Sequence, residues 1–164
     1  LYIAVSCFDS QPELIREVSM ARDARLNADD RFELLFDTFN DNRNAFWFQM
    51  SAAGSRGDAL ITKNGSNFNK PWNGLWVGRS RVTDEGWFSE LAIPYATLNF
   101  DPESSEWGFN IRRHIRRKEE EARWATPSTS IYFFSAAHAG TLTGIPTPHQ
   151  GFAMDITPFL TANG

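Results

Sequence analysis

Cysteine is almost absent from this sequence. Cys7 is the one cysteine among 164 residues, so no internal disulfide can staple the fold. Its place in an apolar alternation predicts a buried, inert thiol. Histidine is equally thin: His114, His138 and His149 are scattered, without the short spacings of a metal site. No apolar run approaches the roughly 18 to 20 residues that a membrane-spanning helix needs. Positive charge is not in excess either. Lys and Arg number 16 against 20 Asp and Glu, a net charge of −4. That balance argues against a general nucleic-acid or anionic-membrane binder, since both require a strong positive field. Helical signals are confined to 12–18 and 94–98, each opening on a proline and long enough for a turn or two. Also missing are the Gly-x-Ser-x-Gly elbow, the phosphate loop, His-Glu-x-x-His and paired Cys-x-x-Cys. Their absence weighs against an enzyme, although a glycosidase needs only two facing carboxylates and leaves no such signature.

What the chain does have is aromatic carbon: 14 Phe and 6 Trp, within an apolar fraction of 41%. That content, at this length, predicts one folded domain with a substantial core. Apolar and polar residues alternate with period two in short runs broken by Gly, Asn, Asp and Pro, predicting strands near 1–9, 31–39, 45–53, 74–83, 86–93, 107–117, 121–126 and 141–145. Phe32, Leu34 and Phe36 share one strand face and Phe46, Phe48 and Met50 share the next, with the Asn-rich turn 40–44 joining the two strands. Turns at 83–86 and 117–120 close two further hairpins. The expectation is an all-β antiparallel β-sandwich with Phe-rich faces packed together. The loop 63–74 stands apart, with Asn, Gly and Ser surrounding Phe68 and Trp72.

The basic run 112–118 is answered across its turn by Glu119, Glu120 and Glu121, which reads as a cross-strand charge ladder rather than a nucleic-acid site. Within it, Arg113 falls on the same face as Phe109, Ile111 and Ile115, and a buried Arg there requires a carboxylate partner, a bound anion or a bulge.

Several segments together resemble the family 9 carbohydrate-binding modules: Asp29-Asp30-Arg31-Phe32-Glu33 entering an apolar strand, Leu1 to Val5 with Asp9, Gly86-Trp87-Phe88-Ser89-Glu90-Leu91-Ala92-Ile93-Pro94, Trp107-Gly108-Phe109-Asn110-Ile111 and Gly140-Thr141-Leu142. The segments Asp37 to Phe46, Gly57 to Ile61 and Ile115 to Lys118 look more closely like a module that precedes a predicted outer-membrane β-barrel in a bacterial envelope family of unknown function. The resemblance spans about 1–145, leaving 146–164 as an extension or linker. It also implies N-terminal strands ahead of Leu1, so the missing leader carries no information.

What the resemblance implies is a non-catalytic module in the cell envelope, periplasmic or outer-membrane-associated. Its partners would be a glycan or other small polar ligand and its own C-terminal barrel. Glu33 and Gln49 match polar ligand positions and share a face with Leu35 and Trp47 by alternation. Of the two stacking Trp rings of characterised members, one position falls on Asn27 and the other near Tyr132 or Phe133, so Trp47, Trp72 or Trp76 would have to compensate. The candidate ligand residues are therefore Glu33, Gln49, Trp47, Trp72, Arg113 and Tyr132. Calcium, which takes hard oxygens, would fall to Asp9, Asp29 and Asp30 at strand ends. Alternatives stay open. Glu33 could instead pair with Arg31 or Arg113, and the Asp residues could cap turns. The whole domain could be an interaction module with no sugar site, or a haem binder through Met50 with His114 or His138.

Overall fold

The computed structural model describes residues 1–126 and 128–146. Among the described residues ten strands run in chain order: β1 Tyr2–Phe8, β2 Arg31–Asp37, β3 Ala45–Ser51, β4 Arg56–Thr62, β5 Asn67–Asn69, β6 Val77–Thr83, β7 Gly86–Ala92, β8 Glu106–Ile115, β9 Glu120–Arg123 and β10 Gly140–Thr143. They form two antiparallel sheets, one ordered β1-β7-β6 and the other β10-β8-β2-β3-β4-β5 with β9 added on β8. This is the expected antiparallel β-sandwich. The long β8 pairs β2 along one edge and, along the other, β10 through its first half and β9 through its second.

The two Phe-rich faces meet as read from the alternation. Phe32, Leu34, Phe36, Phe46, Phe48 and Met50 join Trp87, Leu91 and Trp107 in one buried cluster between the sheets. Cys7 lies in it as well, and burial pushes its thiol up to about 11, so it stays protonated and unreactive near neutral pH. The predicted helical segments shrink to single 3-10 turns at Pro12–Leu14 and Tyr95–Thr97. The 40–44 turn is held by Asp37, whose carboxylate accepts the Asp41 and Asn42 amides, while Asn40 and Asn42 take the left-handed backbone anticipated there.

Two strands were not anticipated. Alternation over β4 is broken by Gly57 and by Asp58, which lies opposite Phe48 on the core-facing side. Asp58 is fully buried because it accepts from Trp76 Nε1 at 2.6 Å and from Arg22 Nη2 at 2.7 Å. Strand β5 carries a single apolar residue, Phe68, between two asparagines and offers no periodicity to read. The strand expected from 74 begins only at Val77, since Gly74 donates its amide to Asp58 and lies against the Trp72 ring. Of the expected extension at 146–164, all but Pro146 lies outside the described residues.

The larger sheet is covered on its second side too. Leu35, Trp47, Ala59 and Ile61 point away from the main core and are buried under Phe133, Phe134 and Ala136. Every residue of β3 is therefore buried, which explains its nearly unbroken apolar run. This second cluster stops short of one end of the sheet, and there the candidate site begins.

Candidate functional site

On the outward side of the larger sheet, register places Arg112, Glu33, Gln49 and Gly57 in one rung across β8, β2, β3 and β4. The rung beside it holds Asn110, Leu35, Trp47 and Ala59. The polar rung borders a recess of about 220 Å³, whose walls also include Asp23, Asn27, Arg31, Lys70, Trp47 and Phe134. The glycine ending the rung lets its neighbours close in, since a Cβ at Gly57 would sit 2.5 Å from Gln49 Nε2 and 3.0 Å from Lys70 Nζ.

Glu33 is the hub. It accepts from Trp47 Nε1 at 2.8 Å, from Arg112 Nη2 at 2.7 Å and from Arg31 Nε at 3.1 Å. His114 Nε2 lies 3.2 Å from its Oε1, near enough to act on the charge but not aligned for a hydrogen bond. Burial pushes this carboxyl up, yet the His114 ring and the Arg112 and Arg31 guanidinium groups outweigh it and hold it at about 2. Glu33 therefore stays ionised throughout the physiological range. Asp23 forms a second ion pair with Lys70 at 2.5 Å, and Lys70 also lies over the Trp47 ring, 5.3 Å from its centroid. Arg112 is stacked under Phe133 at 4.3 Å and Phe134 at 5.1 Å. The recess is thus a set of charged and amide groups fixed by ion pairs beside an aromatic wall.

Of the residues singled out from sequence, Glu33, Gln49 and Trp47 line this recess, together with Asn27. Trp47 is only 5% exposed, its ring flanked by Phe68 at 5.1 Å and Phe134 at 6.1 Å, so it offers no open stacking face. Tyr132 is exposed and stands edge-on to Phe134 at the margin. Trp72 and Arg113 are not brought here. Trp72 packs on Phe46 and Phe48, on the inter-sheet side. Arg113, by alternation with Ile111, also faces that side; its carboxylate partner is Asp9 at 3.7 Å, and it donates to the Phe8 carbonyl. Glu33 pairs with Arg31 as one reading allowed, but its second guanidinium is Arg112 rather than Arg113.

Sequence reasoning missed Lys70, Asp23, Gly57 and Phe134 altogether. They arrive from loops and from β4, where no period marks them. The one available signal was for Arg112, since alternation in β8 sets it on the face opposite Ile111.

The aspartates that the resemblance assigns to calcium fit the ion poorly. Asp9 takes both Arg117 Nη atoms, at 2.6 and 2.7 Å, and Arg117 holds its carboxyl at about 2 against the effect of burial. Asp29 Oδ1 accepts the Val18 and Ser19 amides, and Asp30 accepts the Arg16 and Arg116 amides. Only Asp29 Oδ2 is left without a partner. N–H donors occupy the other oxygens, and among the described residues no group of three His, Cys, Asp or Glu could hold a metal ion. Excess chelator is accordingly expected to leave the melting temperature where it stands; a clear drop, restored by added Ca²⁺, would show these oxygens exchanging their N–H donors for an ion.

No family model matches the chain, and no curated protein does. Among solved structures it is similar to a crystal structure of a "putative carbohydrate-binding protein" from Bacteroides uniformis. The identity is 16%, the TM-score is 0.65, and the match covers 79% of this chain and 67% of that one. At that identity the likeness extends to the fold, a β-sandwich also found in a protein so described.

Proposed function

We propose that this chain is a non-catalytic carbohydrate-binding module that takes its ligand in the Glu33 recess. The observation that carries the reading is the recess itself: charged and amide side chains fixed in place beside Trp47 and Phe134. Sugar hydroxyls take directional hydrogen bonds from such groups. The similar fold of the Bacteroides protein supports the same direction. The family 9 resemblance supports it too, and the closer likeness to the module that precedes an outer-membrane barrel extends the proposal to an envelope setting with the chain's own barrel as partner.

The acids of the recess support a role without catalysis. Glycoside hydrolysis needs one carboxyl with a raised pKa to protonate the leaving group. Here Glu33 is held at about 2, and Asp23, although burial pushes it up, is brought below the ordinary range by Lys70 and Arg22. Neither carboxyl is poised to give up a proton at neutral pH.

The test is a glycan array followed by calorimetric titration of whatever binds. Gln49→Ala is expected to weaken that binding by about 1 to 3 kcal/mol, and Gly57→Ala to weaken it too, at some cost to the melt because the added Cβ displaces Gln49 and Lys70. Undiminished affinity in both variants would remove the recess from the reading. A second reading, an interaction module, draws on the outer face of the smaller sheet, where Tyr2, Phe8 and Val77 are 89%, 64% and 60% exposed. An array with no binding to any glycan would favour it.

A further inference from the structure

The recess has a sign. Four cationic side chains line it, Arg25, Arg31, Lys70 and Arg112, against two carboxylates, Asp23 and Glu33. The carboxylates are already engaged: Glu33 by Arg31 and Arg112, Asp23 by Lys70 and also by Arg22 from outside the recess. Glu121, which reaches Arg112 at 3.3 Å, brings its own ion partner in Arg123. Two positive charges therefore remain over in the recess of a chain whose net charge is −4. Arg25 is exposed on the wall and engages no carboxylate or carbonyl among the described residues. Arg112 has a further unspent donor, a buried Nε without a partner. An uncompensated guanidinium on the wall of a polar recess suits an anionic group in the ligand, which it can bind through paired N–H donors. A neutral sugar would leave that field unanswered.

We propose that the recess selects anionic sugars, those bearing a carboxylate or a sulfate. This rests on the carbohydrate reading above and narrows it. The field also predicts salt dependence, because the rim charge of Arg25 is exposed to screening.

Titration against matched pairs tests it: polygalacturonate against its carboxyl-reduced counterpart, and dextran sulfate against plain dextran, each at low and at physiological ionic strength. The charged member of at least one pair is expected to bind at least about tenfold more tightly, and less so as salt rises. Which pair responds tells carboxylate from sulfate. Arg25→Glu has no native partner to lose, so it should leave the melt unchanged while weakening the charged ligand about tenfold or more. Equal affinity for charged and neutral members, or an Arg25→Glu variant that binds the charged ligand undiminished, would overturn this inference and leave the carbohydrate reading standing. Should no member of either pair bind, and no glycan on the array, the carbohydrate reading falls and takes this inference with it.

Discussion

Glu33→Ala is expected to destabilise the protein by about 3 to 5 kcal/mol, because it strands two guanidinium groups in a low-dielectric setting rather than merely deleting a contact. The Glu33 side chain is 3% exposed, and those of Arg31 and Arg112 are each 13% exposed, so water cannot readily replace the lost partner. The Trp47 indole N–H loses its acceptor in the same step. Glu33→Gln keeps the shape and an acceptor for Trp47 but loses the charge, so its cost should be smaller, about 1.5 to 3 kcal/mol. The two variants differ further in how they respond to pH. A carboxyl held at about 2 in the fold, against an ordinary 4.5, contributes stability that is fully present above pH 4.5. That contribution, on the order of 3 kcal/mol, fades as pH falls toward 2. Protonated Glu33 resembles glutamine, so the gap between wild type and Glu33→Gln should close over that interval. Urea melts at pH 7, 4 and 3 check this, and a gap that stays constant with pH would mean that the carboxylate is not the group holding the arginines. The Asp9–Arg117 pair loses stability over a similar range in both proteins and cancels in the difference.

Because Glu33 holds the sheet together, it is a poor probe of ligand contact, and sequence alone could not show that. Its nearest partner along the chain is Arg31, two residues away, but Arg112 is 79 residues distant and Lys70 meets Asp23 across 47. The sequence does display period two, and that sufficed wherever partners sit on one hairpin. Phe36 opposite Phe46 and Glu33 opposite Gln49 follow from the single turn between β2 and β3. It failed where a residue's neighbours come from loops. Trp72 has no periodic context, and it turned inward to Phe46 and Phe48. Asp58 broke the alternation of β4 because its charge is neutralised by Arg22, 36 residues earlier. Arg113 reads as a core-facing misfit until Asp9 and the Phe8 carbonyl arrive from β1 and its end. The fold was legible because it is a sum of local patterns. The recess is a convergence of six segments, the stretch Asp23 to Asn27, β2, β3, the loop of Lys70, β8 and the loop of Phe134, and no local pattern encodes that.

Trp47→Ala separates a platform from a pillar. An exposed ring serving a sugar could be removed with little effect on folding, and Trp47 is one of the three rings that could take that role where the family's stacking positions fall on Asn27 and near Tyr132 or Phe133. In the structure the ring fills the boundary between the second core and the recess, touching Phe68 and Phe134 and lying beneath the Lys70 ammonium. Removing a buried indole should then cost about 3 to 5 kcal/mol, since Phe68 and Phe134 are themselves held by other contacts and cannot fully collapse into the gap. Trp47→Phe retains most of the packing and loses the donor to Glu33. Its cost should be about 1.5 to 3 kcal/mol, the value of a hydrogen bond to a charged acceptor. Combined with Glu33→Gln, it should cost less than the sum of the two, because the singles remove one shared interaction. A Trp47→Ala protein that melts like the wild type would place the ring outside the core, and the second cluster would then have to close on Leu35, Ile61, Phe133 and Phe134 without it.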